Sequence, residues 1–209
     1  LVGEGAAQGA DSLSDSKSFS WGEMRIALHL PLLLFSLGMG SFAFLGREKV
    51  LARTGTKNYI LASPALQPLT NPTAHFAYYM KDLSYYVMLI LTPVITGMGV
   101  GILLESFTNV STPLEFSSLP RTWIAMVVTL AQGLAFSFIA SSLWLLGGWV
   151  SRITPLAVIG LGTTIGLGIL PREYFLWGLA TQQPNGILLA VPALAVSVLL
   201  AWIASHLIL

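Results

Sequence analysis

The sequence contains no cysteine, and this absence excludes disulfide bridges, thiolate-bound metals and cysteine nucleophiles. Charged residues are also scarce: they make up 9% of the 209 residues, whereas soluble domains carry about 25%. The net charge of +1 gives no reason to expect a nucleic-acid partner. The chain is instead 55% hydrophobic, with a mean hydropathy of +0.77. This composition rules out an ordinary soluble globule.

Five apolar runs are each close to the length of about 20 residues that a helix needs to cross a bilayer. Only helices and closed barrels satisfy backbone polar groups in lipid, and the alternation of barrel strands is absent. The sequence therefore predicts an all-α integral membrane fold, a bundle of about five transmembrane helices. The runs cover residues 24–45, 83–104, 123–146, 153–170 and 187–209.

The beginning of the chain differs in composition from the rest. Residues 1–21 are mostly small and polar and lack the apolar centre of a signal peptide. We expect them to form a flexible segment outside the membrane, and we expect residues 22–209 to form one polytopic transmembrane domain.

Basic residues are concentrated in the connection between the first two spans, residues 46–82. Five of the ten lysines and arginines lie there, at Arg47, Lys49, Arg53, Lys57 and Lys81. Because short cytoplasmic loops are enriched in these residues, we predict that this segment is cytoplasmic. The N-terminus is then outside the cell membrane and the C-terminus is cytoplasmic.

The connection before the last span, residues 171–186, is rich in aromatic residues next to charged ones. Aromatic side chains of this kind favour the headgroup layer of a membrane. A short interfacial or re-entrant helix is predicted there, and an ordinary loop with anchoring aromatics is the alternative.

The predicted spans carry few side chains that could perform chemistry. His29 and His206 fall at opposite membrane faces and cannot share a haem iron or another metal, so we expect no metal and no cofactor. The serines of the spans have no histidine at matching depth, and no GxxxxGK[ST] phosphate loop is present. We therefore predict that the chain is not an enzyme. Gln132, midway along the third span, is expected to hydrogen-bond a neighbouring helix.

Glycines recur at a spacing that allows helix backbones to approach closely. Gly97 with Gly101, and Gly162 with Gly166, have the small-xxx-small spacing of packed membrane helices. We predict that both pairs are helix-packing positions. The spacing is common in membrane helices and does not indicate a particular function.

The connection of residues 46–82 is long for a link between two helices. Its first part is expected to continue the first helix as far as Ser63-Pro64, since the residue before a proline disfavours helical geometry. Asn71-Pro72 then supplies an N-cap and a proline at the first helical position, so a second helix is expected over residues 73–82. Together they form a cytoplasmic coupling hairpin, able to transmit force from a docked soluble partner into the membrane.

The run GTKNYILASP, residues 55–64, resembles the cytoplasmic segment of ABC-2 type transporter permeases, the membrane-spanning subunits of ABC exporters. In that family a charged run precedes Gly-Thr, a Leu-Leu-x-Ser-Pro stretch follows, and a lysine lies at the head of the next span. The resemblance implies a permease that forms the substrate path and couples to a separate ATPase subunit. The ATPase-coupling residues that it implies are Arg47, Glu48, Lys49, Arg53, Gly55, Thr56, Tyr59, Leu61, Ser63, Pro64 and Lys81.

The resemblance also implies the partners of the chain. These are a cytoplasmic ATP-binding subunit, a second permease copy or a homologous permease, and the lipid bilayer, with no nucleic acid. The family has six spans, so a further span is expected before Leu1. The alternative function is that of a non-catalytic structural or assembly subunit of a larger membrane complex, which glycine-rich helices with few charged groups suit equally well.

Overall fold

The computed structural model describes residues 24–39, 71–105, 107, 115–145, 148–150, 176–183 and 185–207, with isolated positions between 153 and 169. The elements in these ranges are all helical, which confirms the predicted all-α fold for the described part of the chain. The α-helices are α1 (Met24–Met39), α2 (Asn71–Tyr86), α3 (Thr92–Glu105), α4 (Leu119–Leu145), α5 (Trp177–Thr181) and α6 (Ala190–His206). Short 3-10 turns precede α4 at Phe116–Ser118 and α6 at Gly186–Leu189.

Three helices in the described ranges are long and apolar enough to cross a membrane. They cover Pro72–Leu104, Phe116–Trp144 and Gly186–His206. Helix α1 is apolar but shorter over its described residues. Five spans were predicted, so the described residues contain fewer helices of membrane length than expected, and most of the predicted fourth span, residues 153–170, lies outside them.

Helices α2 and α3 are continuous through a π-helical turn at Val87–Leu91. In this wider turn the Thr92 N–H donates to the Val87 carbonyl, five residues back, and the adjacent Pro93 has no N–H to donate. The helix predicted over residues 73–82 is therefore the first part of a single long helix that continues through the second predicted span. Residues 73–82 contain no glycine or proline that would break it.

Helix α4 is at the centre of the bundle. Its apolar stretch is 72% buried, compared with 6% for the α2–α3 helix and 22% for the helix that ends at His206. Small side chains on α4, among them Ala125, Ala131 and Ala135, are completely buried and allow neighbouring helices to approach closely.

Two contacts fix the direction of α1 relative to α4. In the first half of both helices, His29 Nδ1 lies 2.7 Å from Thr129 Oγ1. Near their ends, the Ser137 hydroxyl donates to the Leu37 carbonyl over 2.8 Å. The two helices therefore run parallel.

The long α2–α3 helix runs in the opposite direction to α4. At its beginning, the His75 ring lies 4.9 Å from the Phe138 ring, in the second half of α4. At its far end, Gly99 lies against the Leu119 side chain at the start of α4. Since α1 is parallel to α4, the α2–α3 helix is antiparallel to both.

The apolar core lies where α4 faces the α2–α3 helix and α6. The Ser142 hydroxyl donates to the Ala204 carbonyl over 2.9 Å, which joins the C-terminal ends of α4 and α6. In a bilayer such a core is held mainly by van der Waals packing, because lipid tails are as apolar as the core itself. The largest side chains that are completely buried in it are Tyr79, Leu91, Leu130, Leu134 and Phe138.

Candidate functional site

Ten residues of the predicted ATPase-coupling segment lie outside the described residues. The described helices nevertheless show where the connection leaves and re-enters the bundle. Helix α1 ends beyond the contact of Leu37 with Ser137, and α2 begins close to Phe138. Both flanking ends are therefore at the C-terminal end of α4. The ten residues are Arg47, Glu48, Lys49, Arg53, Gly55, Thr56, Tyr59, Leu61, Ser63 and Pro64.

Lys81 is the member of that predicted set that the structure describes. It lies in α2, and its ammonium nitrogen is 3.3 Å from Asp82 Oδ1 and 5.0 Å from the centre of the Tyr78 ring. The Lys81 side chain is 65% exposed and that of Asp82 is 15% exposed. The ion pair and the cation–π contact together fix the ammonium above the helix surface.

The predicted packing glycines are not in contact with another helix where the structure describes them. A Cβ atom built on Gly97 or Gly101 would meet no atom within 4 Å. Gly162 and Gly166 lie outside the described residues. That these pairs pack helices together therefore stays a prediction.

Close helix approach occurs instead at Gly178, in α5. A side chain at this position would overlap the Thr129 hydroxyl and the Ala125 carbonyl of α4, and it would press on the His29 ring. Glycine is required here because α5 lies directly against the backbone of α4.

A buried hydrogen-bond network joins α1, α4 and the end of α5. His29 Nδ1 is 2.7 Å from Thr129 Oγ1, and His29 Nε2 is 3.2 Å from Gln182 Oε1. Gln182 Nε2 donates to Thr122 Oγ1 over 3.0 Å. All four side chains are buried. We call His29, Thr122, Thr129 and Gln182 the polar network.

One arrangement of hydrogens satisfies the polar network with a neutral imidazole. A neutral histidine has one N–H donor and one acceptor nitrogen. We assign the proton to Nε2 of His29, which donates to Gln182 Oε1, while the Thr129 hydroxyl donates to Nδ1. A buried network in which each group has its partner rigidifies the elements that it joins. The network thus fixes α1 and α5 to α4.

Helix α5 lies beside the middle of α4 instead of at its end. The Trp177 N–H, at the start of α5, donates to Gln132 Oε1 over 3.1 Å, and Gln132 is the middle residue of the 27-residue α4. Just after α5, Gln182 reaches Thr122 near the start of α4. The short helix predicted before the last span is therefore present, and the predicted hydrogen bond of Gln132 to a neighbouring helix is confirmed.

Sequence reasoning considered His29 only as a metal ligand and missed its partners. Thr122, Thr129 and Gln132 are seven and three residues apart, so they share one face of α4, and this spacing could have indicated a polar face within the bundle. Gln182 gives no comparable signal, because its partner Thr122 is 60 residues away in the sequence. Only the packing of α5 brings the two together.

No cluster of three or more histidine, aspartate or glutamate side chains that could hold a metal occurs among the described residues. His29 contacts Thr129, three residues before the middle of α4, whereas His206 lies at the end of α6, beside the C-terminal end of α4. The two histidines therefore do not share a site. No family model, curated protein or solved structure matches the chain.

Proposed function

We propose that the chain is an integral membrane protein whose helix bundle crosses a lipid bilayer. The distribution of polarity supports this. Val191, Leu199 and Trp202 on the outside of α6 are between 49% and 73% exposed, whereas His29 and Gln132 are completely buried. A protein in water rarely exposes large contiguous apolar surfaces, and hydrocarbon is the solvent that suits such a surface.

Two exposed tryptophans on α4 support a position for the bilayer. Trp123 and Trp144 are 38% and 43% exposed, and the helix between them is about 32 Å long at a rise of about 1.5 Å per residue. The hydrocarbon layer is about 30 Å thick, and tryptophan is enriched at its two borders. Gln132 is then close to the bilayer centre.

Within the membrane, we propose that the chain is the permease subunit of an ATP-driven ABC transporter. It would form the substrate path and couple to a separate ATPase subunit. The observation that carries this proposal is the run of residues 55–64, which resembles the coupling segment of ABC-2 permeases and connects two helices whose flanking ends lie at the same end of the bundle. A soluble motor that grips this connection would act on α1 and α2 at once.

Replacement of Gly55-Thr56 by Ala-Val tests the coupling role. The tagged chain is purified with its partners from native membranes and reconstituted into lipid nanodiscs, and ATP hydrolysis is measured per mole of chain. We expect the wild-type preparation to hydrolyse ATP and the variant to lose most of this activity, while both insert into the membrane to the same extent.

The matched control is the replacement of Ser111-Thr112 by Ala-Val, in the connection at the opposite end of the bundle, which should leave ATP hydrolysis unchanged. A wild-type preparation without ATPase activity would contradict the transporter proposal. An equal loss in both variants would show that the effect is not specific to the coupling segment.

The second candidate function is that of a non-catalytic structural subunit of a larger membrane complex. The polar network favours it, because His29, Gln182, Thr122 and Thr129 take one another as partners and so serve to hold helices together. Co-purification of the chain with a stable set of membrane subunits, none of which hydrolyses ATP, would support this function over transport.

A further inference from the structure

The exposed side of the α2–α3 helix differs in chemistry from the exposed side of α6. Between Val191 and Ile203, every exposed side chain of α6 is apolar. On the α2–α3 helix, by contrast, polar side chains that are exposed or half-exposed recur along one side, with exposed apolar side chains such as Met80 and Met88 between them. We call them the polar stripe: Thr73, Tyr78, Lys81, Ser84, Tyr85, Thr92 and Thr96.

The charged pair of the polar stripe is level with the middle of the central helix. The Tyr79 hydroxyl donates to the Ala131 carbonyl over 3.2 Å, next to Gln132, the middle residue of α4. Lys81 and Asp82 follow Tyr79 by two and three residues, a rise of about 3–5 Å along the helix. With the bilayer positioned by the α4 tryptophans, the pair is close to the bilayer centre.

Hydrocarbon is an unsuitable environment for this pair. A lysine at the centre of a membrane helix costs about 2.5–3.5 kcal/mol on insertion scales. Its side chain is too short to reach the headgroups, which are about 15 Å away at half the hydrocarbon thickness. Lys81 is nevertheless 65% exposed, and Asp82, at 15%, is covered behind it. The charge presented outward is therefore positive and needs water or a polar ligand.

We propose that the polar stripe lines a water-filled path through the bilayer, and that Lys81 is the contact at its centre for a negatively charged group of the cargo. This inference rests on the proposed membrane function. It adds which residues line the path, and it adds that the transported group is negatively charged. A lysine beside a low-dielectric wall raises the local concentration of anions. Asp82 and the Tyr78 ring hold the ammonium in place.

The absence of native cysteine allows a direct test with single introduced thiols. Ser84→Cys places a thiol on the polar stripe, one turn from Lys81; the native hydroxyl is exposed and bonds only within its own helix, to the Met80 carbonyl. Val196→Cys places the matched control near the middle of the apolar outer side of α6. Both variants are reconstituted in liposomes with their native partners and treated with the membrane-impermeant thiosulfonates MTSES, which is anionic, and MTSET, which is cationic.

We expect Ser84→Cys to react with both reagents and Val196→Cys with neither. The ratio of the MTSES rate to the MTSET rate at Ser84→Cys should exceed that of a free thiol in solution, and addition of Lys81→Gln should lower it by roughly tenfold. Tyr85→Cys, the neighbouring position of the polar stripe, is 56% exposed in the native chain and lies about 6 Å along the helix from Lys81, so it provides a second thiol inside the bilayer if Ser84→Cys does not fold.

The outcomes separate this inference from the membrane proposal. Reaction of Val196→Cys would show that α6 is not in lipid and would overturn both. Protection of Ser84→Cys and Tyr85→Cys together with Val196→Cys would leave the membrane position standing and overturn the water-filled path. Reaction of Ser84→Cys with a rate ratio that Lys81→Gln does not change would overturn the role of Lys81 as an anion contact.

Discussion

Replacement of His29 by leucine should destabilise the bundle, because this side chain joins three parts of it. Its ring nitrogens contact Thr129 in α4 and Gln182 after α5, and the ring is completely buried. Leucine has a similar volume but no polar atoms. The variant therefore removes two hydrogen bonds without opening a large cavity.

The expected decrease in the free energy of unfolding depends on the Thr129 hydroxyl and the Gln182 amide, which remain after the histidine is removed. The Thr129 hydroxyl can turn to the Ala125 carbonyl, which is 3.1 Å away, but the Gln182 oxygen keeps no donor from the polar network. A buried polar atom left without its partner costs about 1–3 kcal/mol, and side-chain hydrogen bonds between membrane helices contribute about 0.6 kcal/mol on average. We expect His29→Leu to lower the free energy of unfolding by about 2 kcal/mol.

Reversible unfolding in mixed detergent micelles, followed by tryptophan fluorescence, measures this loss. His206→Leu is the matched control: His206 is exposed and bonds only to the Trp202 carbonyl of its own helix, so its replacement should change stability by less than about 0.5 kcal/mol. In the double variant His29→Leu/Gln182→Leu, the decrease in the free energy of unfolding should be about 1 kcal/mol smaller than the sum of the decreases in the two single variants. Equal stability of the His29 and His206 variants, or strict additivity in the double variant, would refute the claim that the polar network stabilises the packing of α1 and α5 on α4.

Three further substitutions test other contacts of the bundle. Gly178→Ala would force a methyl group into the backbone of α4 and should cost about 1–3 kcal/mol, whereas Gly101→Ala, with open space at its Cβ position, should be neutral or stabilising by up to about 1 kcal/mol; equal effects in the same unfolding assay would contradict the close approach of α5. Gln132→Leu removes the acceptor of the Trp177 N–H, so hydrogen exchange at that amide should become faster, and an unchanged rate would place the bond elsewhere. Tyr79→Phe removes a single buried hydrogen bond and should lower stability by about 0.5–1.5 kcal/mol; no measurable loss would show that this hydroxyl does not stabilise the core.

Some helices were predictable because their signal is local. The third predicted span, residues 123–146, corresponds closely to α4 (Leu119–Leu145), because a long apolar run without internal proline leaves few alternatives in lipid. The predicted start is four residues too late, because Pro120 lies in the first turn of the helix, where a missing N–H is tolerated. The hydrogen bond of Gln132 was predictable from a lone amide in an apolar helix, although its partner was not.

The contacts between distant parts of the chain were not predictable. His75 was expected in a cytoplasmic loop, yet it packs on Phe138 and lies 3.0 Å from the Ser205 hydroxyl. The reason is that α2 continues into the span without a break and so lies along α4. The clustering of His29 with Gln182 likewise depends on where α5 inserts, and no spacing in the sequence encodes that position.

The depth of Lys81 is a further result of packing. From the sequence, Lys81 was expected in a cytoplasmic hairpin, because the second predicted span begins at residue 83. The contact of Tyr79 with Ala131 brings the same lysine level with the middle of α4. A hydropathy value describes one segment alone, whereas the depth of a residue in the bundle depends on the helices against which its own helix packs.

A photo-crosslinking amino acid at Tyr59, in the run that resembles a coupling segment, tests most directly whether an ATPase drives this protein. After irradiation of native membranes, we expect a covalent adduct with a soluble subunit that also labels with 8-azido-ATP. The same amino acid at Phe107, which is exposed beyond the opposite end of the long helix, should give no such adduct. An efficient crosslink from Tyr59 only to proteins that do not bind ATP, or to lipid, would contradict the transporter function.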